Sequence, residues 1–139
     1  MPNKNSLIKK GYMQKIPMYK PLIEKEEISA AKEALKMGWL GMGSFVNEFE
    51  EKLHDFLELD ENRFVVAVNT GTSALHLALL LADVGRGDEV ITPSFNNVAD
   101  FQAILAVGAK PVFCDIQDEN LCIDMVKAEK LVSNKSKAI

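Results

Sequence analysis

The sequence predicts an α/β fold in which helices cover a mostly parallel sheet, and three observations support this class. Short apolar runs alternate with helical segments from residue 64 onward. Turns that contain glycine, at residues 85–87 and 108–109, join these segments. The helical segment 72–82 is apolar nearly all round and needs neighbours on both faces. Because strands separated by helices pair in parallel through right-handed crossovers, we expect a layered α/β domain.

Two amphipathic helices are predicted before the alternating region. Apolar residues recur at helical spacing over residues 23–37, and Gly38 ends this helix. A loop over residues 38–43 follows. Ser44 is the expected N-cap of the second helix, which extends to about residue 57.

The rest of the chain is predicted to alternate between strands and helices. The expected strands cover residues 64–68, 89–92 and 111–114, and the expected helices cover 72–82, 97–107 and 124–132. Residues 137–139 are typical of the opening of a further strand. Because the chain ends at the start of an element, we expect it to be part of a longer protein.

The size and composition are those of one ordinary globular domain with a hydrophobic core. The chain has 139 residues, of which 47% are hydrophobic and 26% are charged. Its formal net charge of -4 gives no general attraction to nucleic acid or to an anionic membrane. The longest apolar block, residues 74–82, is much shorter than the ~20 residues that a membrane helix needs. We therefore expect neither a nucleic-acid nor a membrane partner.

Residues 1–20 predict a polar N-terminal arm that precedes the folded region, residues 21–139. Lysines are spread along the arm, and no apolar core follows them as a targeting leader requires. Cys114 and Cys122 are expected to be reduced, because nothing marks an exported chain. No histidine is near them in the sequence, so we expect no metal site. These features together favour a cytoplasmic protein.

Gly71, Thr72 and Ser73 stand between a predicted strand and a predicted helix and form a candidate phosphate cradle. A helix that starts at a glycine directs free backbone N–H groups and the positive end of its dipole at one spot. A hydroxyl at this position also caps a helix, and the sequence favours neither interpretation over the other. The glycine fingerprint of dinucleotide-binding folds and the Walker A loop are both absent.

Ligands of open parallel sheets bind beyond the carboxyl ends of the strands. Here those ends are residues 69–73, residues 93–97 and Asp115, which can line one crevice. Asp115 is more simply explained as a loop-capping residue. His76 is expected to be a core histidine and His54 a surface residue.

Three spaced motifs closely resemble the DegT/DnrJ/EryC1/StrS family of pyridoxal phosphate-dependent sugar aminotransferases. They are NTGTSALHLAL at 69–79, GDEVITPSF at 87–95 and GAKPVFCDI at 108–116. Trp39 with Gly41 and Gly43, and the run KSKAI at 135–139, resemble further segments of the family. The resemblance implies part of a fold-type I large domain, a three-layer α/β/α structure, incomplete at the C-terminus.

The resemblance also implies a set of site residues. Thr72 and Ser73 would hold the phosphate of pyridoxal 5'-phosphate, helped by the turn at Gly71. Asn97 stands where the family usually has an aromatic residue or a histidine stacked on the pyridine ring. Trp39 and Leu40 match a loop that approaches the site of the partner subunit in a homodimer, which makes them a substrate or interface loop.

No catalytic residue is assigned within the chain. In the family, the Schiff-base lysine and the carboxylate that pairs with the pyridine nitrogen lie beyond the matched region, and no lysine here aligns with that role. The resemblance implies the N-terminal portion of an enzyme that transfers an amino group from an amino acid, typically glutamate, to a nucleotide-linked keto sugar, as polysaccharide biosynthesis requires. Related members include dehydratases. The alternatives are a non-catalytic binding or interaction module, and a generic nucleotide-binding α/β domain.

Overall fold

The computed structural model describes residues 19–139, which belong to two compact units. The first unit is Met1–Asn62 and the second is Arg63–Ile139. Residues 1–18, most of the predicted arm, lie outside the described residues.

The first unit contains the two predicted helices, α1 (Lys25–Met37) and α2 (Ser44–Phe56). Gly38 ends α1 in the left-handed conformation, with φ of 72°, as the sequence predicts. The prediction of Ser44 as the N-cap of α2 is wrong, because Ser44 is the first helical residue and Gly43 is the cap. The carbonyl oxygen of Gly43 already accepts hydrogen bonds of 3.0 Å from the N–H groups of Val46 and Asn47.

The second unit contains three helices and three strands. In chain order they are α3 (Gly71–Leu81), β1 (Glu89–Pro93), α4 (Val98–Ala106), β2 (Lys110–Cys114), α5 (Met125–Leu131) and β3 (Ser136–Ala138). The sheet order is β2-β1-β3, and β1 pairs in parallel with both neighbours. The predicted parallel pairing is confirmed, and the segment at the end of the chain is a strand.

The prediction of a strand over residues 64–68 is wrong. These residues form no helix or strand, and 80% of Phe64 and 71% of Val66 are exposed. An apolar β-branched pattern indicates that a segment can form a strand, but a strand also needs a partner that offers N–H and C=O groups. Among the described residues the sheet consists of β1, β2 and β3, and the segment 64–68 is not one of its strands.

Helices pack on both faces of the sheet. Consecutive residues of β1 point to opposite faces, so that each face has its own apolar cluster. On one face Val90 packs with Ile104 of α4, together with Val84 and Ala109. On the other face Ile91 packs with Cys114 and with Ala128 of α5. The arrangement is therefore a three-layer α/β/α core around β1.

The helix α3 is covered on one side only. Leu79 packs against the first of these two clusters. On the other side Leu77, Leu80 and Leu81 are 46%, 51% and 88% exposed. The helix therefore has more apolar surface than the described residues cover.

Candidate functional site

The first turn of α3 begins at a capped threonine. The side-chain oxygen of Thr70, the N-cap, accepts a hydrogen bond of 3.1 Å from the N–H of Ser73. The N–H of Ala74 donates to the carbonyl oxygen of Thr70 at 3.1 Å and starts the helical ladder. The N–H groups of Gly71 and Thr72 have no acceptor within residues 19–139. Two backbone donors at the positive end of α3 are therefore available to a ligand.

The two hydroxyls in this turn have different roles. The Ser73 hydroxyl donates to Oδ1 of Asn69 at 2.7 Å, and its oxygen lies 3.0 Å from Oγ1 of Thr70. A hydroxyl has a single hydrogen, so Ser73 has none left for a ligand while this bond exists. The exposed Thr72 hydroxyl makes no hydrogen bond within the described residues. Of the two candidates, Thr72 is thus the free donor and Ser73 holds the loop.

The surroundings of this turn suit an anion. The first turn of α3 contains no acidic residue. A Cβ added at Gly71 would meet no heavy atom within 4 Å, so the approach to the backbone is open. Free N–H groups, a free hydroxyl and a helix dipole are the donor set that binds a phosphate. The residues present therefore fit the phosphate of pyridoxal 5'-phosphate.

Asn97 is the N-cap of α4. Its Oδ1 accepts a hydrogen bond of 2.9 Å from the N–H of Ala99, and its own N–H donates to Oδ1 of Asn96 at 2.8 Å. The side-chain amide of Asn96 in turn donates to the carboxylate of Asp100. The polar residues that open α4 therefore form a connected set.

A cavity of about 350 Å³ lies between α3, α4 and the sheet. Asn96 and Asp100 are polar residues of its lining, and most of the other lining residues, such as Leu75 and Val90, are apolar. Of the predicted crevice, residues 93–97 contribute Pro93 and Asn96 to this lining, whereas residues 69–73 contribute none.

Asp115, the third predicted part of the crevice, does not line this cavity. Its carboxylate accepts a hydrogen bond of 2.8 Å from Nζ of Lys127, which holds the pKa of Asp115 below its ordinary value. This exposed ion pair explains the carboxylate without a ligand.

The remaining candidates do not line this cavity. Trp39 and Leu40, in the first unit, are 68% and 75% exposed, and the indole N–H of Trp39 donates to the carbonyl oxygen of Met42 at 2.7 Å. Nε2 of His54 is 3.3 Å from the carbonyl oxygen of Asp60, and His76 is half-buried in α3. Cys114 is buried and Cys122 exposed, and both are free thiols as predicted.

Within residues 19–139 no group of three or more histidine, cysteine or acidic side chains is arranged to hold a metal ion. Within the same residues no helix combines the length and apolarity needed to cross a membrane.

The predicted crevice included Asn69, Thr70 and Asn96 with no role assigned to them, and sequence reasoning missed Asp100. The spacing Thr70-x-x-Ser73 is related to a capping box, in which an N-cap hydroxyl binds the N–H three residues later. That pattern was a usable signal for the cap. The pairing of Ser73 with Asn69 depends on the path of the loop, and no local pattern indicates it.

Fold and site together define an α/β protein in which a helix start with free backbone N–H groups lies beside a parallel sheet. Residues 21–139 match the model of the DegT/DnrJ/EryC1/StrS aminotransferase family, and the chain belongs to this family. The fold is accordingly that of part of a fold-type I large domain, as the resemblance implied.

Curated relatives support the assignment. The chain is 36% identical over 124 residues to the UDP-4-amino-4-deoxy-L-arabinose--oxoglutarate aminotransferase of Shewanella sediminis, covering 89% of this chain and 31% of that protein. It is 42% identical over 124 residues to the spore coat polysaccharide biosynthesis protein SpsC of Bacillus subtilis, with the same coverage of 89% and 31%. The chain thus spans about a third of the length of these relatives.

Solved structures agree. The aminotransferase TlmJ from Streptoalloteichus hindustanus superposes with a TM-score of 0.79 at 33% identity, covering 88% of this chain and 33% of that one. The PLP-form of the putative sugar aminotransferase Spr1654 from Streptococcus pneumoniae superposes with a TM-score of 0.77 at 34% identity, covering 87% and 30%.

Proposed function

We propose that the chain is the N-terminal, cofactor-phosphate-binding portion of a pyridoxal phosphate-dependent aminotransferase. The enzyme transfers an amino group from an amino acid to the keto group of a nucleotide-linked sugar, and glutamate is the proposed amino donor. The start of α3 is the main support, because the N–H groups of Gly71 and Thr72 and the Thr72 hydroxyl are free in a chain of this family. The names of the relatives support the class of substrate.

The proposal assigns separate roles to the three residues of the cradle. Gly71 and Thr72 bind the phosphate, and Ser73 keeps the turn in shape through its bonds to Asn69 and Thr70. When bound, pyridoxal phosphate supplies an electron sink for chemistry at the amino-bearing carbon. The chain's own contribution is to fix the phosphate end of the cofactor.

Asn97 stands at the position that faces the cofactor ring in this proposal. Its side chain caps α4 and offers no aromatic face. Stacking between aromatic groups is worth ~1 kcal/mol beyond the area buried, and this chain forgoes it. The ring must therefore be held by contacts other than stacking on residue 97.

The proposal places the Schiff-base lysine outside residues 1–139, so these residues alone do not transaminate. Lys110, Lys127 and Lys137 are paired with Glu89, Asp115 and Asp83 at 3.0, 2.8 and 4.0 Å. None of these three lysines lines the cavity beside α3. In the working enzyme, a cytoplasmic homodimer in this proposal, Trp39 and Leu40 form a substrate or interface loop.

A second candidate is a non-catalytic binding or interaction module built on the same fold. The exposed apolar side chains of α3, Leu80 and Leu81 among them, favour it, because large exposed apolar patches mark interaction surfaces.

Native protein from the source cell separates the two candidates. It is detected through a peptide of this region, its intact mass is measured, and it is assayed with ¹⁵N-labelled glutamate and nucleotide-linked keto sugars. A mass more than twice 15.4 kDa, with ¹⁵N transferred to the sugar, is the expected result. A mass of 15.4 kDa without transfer would favour the interaction module.

A further inference from the structure

Trp39 is the single tryptophan of the chain, and its indole is hydrogen-bonded within the loop that joins α1 and α2. The Nε1–H group donates to the carbonyl oxygen of Met42 at 2.7 Å. An indole has one donor and no acceptor. Although 68% of Trp39 is exposed, its ring has no hydrogen-bonding capacity left for a ligand while this bond exists.

Gly43 provides the space in which the indole lies. A Cβ added at Gly43 would stand 2.7 Å from Cδ1 and 2.9 Å from Nε1 of Trp39, well inside the optimal separation of ~3.5–4 Å. The backbone does not require glycine here, because a φ of -165° is an extended conformation that any residue adopts. The indole, and not the main chain, therefore requires glycine at position 43.

Gly41 is a matched comparison in the same loop. A Cβ added there would stand 3.9 Å from Nε1 of Trp39, which is an ordinary van der Waals contact. A methyl group is thus tolerated beside the indole at position 41 and excluded at position 43.

We infer that Trp39 is a positioning residue whose contacts with Met42 and Gly43, the indole latch, close loop 38–43 into one preformed shape. Leu40, which is 75% exposed, is then an apolar contact residue of the loop. The identity of the group that the loop contacts depends on the proposed function. The indole latch depends only on the geometry of the loop itself. A preformed loop avoids the entropic cost of ordering on binding.

The indole ¹H–¹⁵N resonance of this chain reports the latch directly. Gly43→Ser introduces the excluded Cβ and keeps a good N-cap for α2, while Gly41→Ala introduces the tolerated one. We expect Gly43→Ser to shift the resonance and to speed hydrogen exchange at Nε1 roughly two- to tenfold, the range for losing one ordinary hydrogen bond. Gly41→Ala should leave both close to wild type.

Backbone order parameters at Leu40 and Met42 test whether the latch positions the loop. We expect values near ~0.8 in the wild type and in Gly41→Ala, and a fall towards ~0.6 in Gly43→Ser and in Trp39→Phe, which keeps a ring without the donor. Amide resonances of residues 63–139 serve as the control for folding. A wild-type indole signal in Gly43→Ser, or unchanged order parameters in both variants, overturns the inference. These measurements contain no cofactor and no sugar. Their outcome therefore does not depend on the proposed function, which the assay of ¹⁵N transfer tests separately.

Discussion

Oδ1 of Asn97 accepts a hydrogen bond of 2.9 Å from the backbone N–H of Ala99, so the side chain that we expect beside the cofactor ring also caps a helix. Removing this acceptor leaves an N–H of the first turn of α4 without a protein partner. We expect Asn97→Ala to lower the free energy of unfolding by about 1 kcal/mol, measured by urea denaturation. Asn97→Asp retains the acceptor and should stay close to wild type. Equal stability of the alanine and aspartate variants would argue against the cap.

Thr70 caps α3 in the same way through its bond to the N–H of Ser73. We expect Thr70→Ala to cost about 1 kcal/mol and Thr70→Ser, which keeps the hydroxyl, to cost much less. Thr72→Ala should change stability by less than about 0.5 kcal/mol, because the Thr72 side chain is exposed and makes no hydrogen bond within the described residues. A large loss of stability in Thr72→Ala would mean that its hydroxyl is structural.

Ile91 is the buried residue of β1 on the face of the sheet that α5 covers. It is 1% exposed and packs with Cys114 and Ala128. Ile91→Ala removes buried methyl groups and leaves a cavity, so we expect a loss of 2–5 kcal/mol, against roughly 0.5–1.5 kcal/mol for Ile91→Val. Thermal or urea unfolding measures both. Similar losses for the two variants would show that the site collapses around the alanine.

Glu89 links the strands of the sheet at their amino ends. Its carboxylate accepts hydrogen bonds of 3.0 Å from Nζ of Lys110 and 2.8 Å from the hydroxyl of Ser133, which hold its pKa below the ordinary value, the lysine first. Because the pKa of Glu89 is lower in the folded state, its ionised carboxylate stabilises the fold above the ordinary pKa of 4.5. This contribution to the free energy of unfolding is lost as the pH falls below that value and the carboxylate is protonated.

We therefore expect the free energy of unfolding of Glu89→Gln to fall less than that of the wild type as the pH is lowered below about 4.5. Urea denaturation at several pH values in this range measures the difference. Lys110→Gln removes the main partner and should reduce the same pH dependence. An unchanged acid slope in both variants would rule out this network as a source of acid sensitivity.

The helices and the parallel sheet were predictable because apolar periodicity reports which face of an element is buried. The segment 64–68 has the same kind of pattern, yet it forms no strand because pairing depends on a partner that the pattern does not describe. The helix start with free donors at Gly71 and Thr72 was predictable from the glycine and the hydroxyl residues that follow the apolar run 64–68. The bond between Ser73 and Asn69 was not, because it depends on how the loop folds back.

The most direct test of the account is a titration of the ¹⁵N-labelled chain with pyridoxal 5'-phosphate, followed through its backbone amide resonances. The account predicts the largest shifts at Gly71 and Thr72. It also predicts an affinity at least about tenfold weaker in Thr72→Ala, since a hydrogen bond to a charged group contributes ~1.5–3 kcal/mol. Undisturbed amides at Gly71 and Thr72, or equal affinity of wild type and Thr72→Ala, would contradict the assignment of α3 as the cofactor-phosphate site.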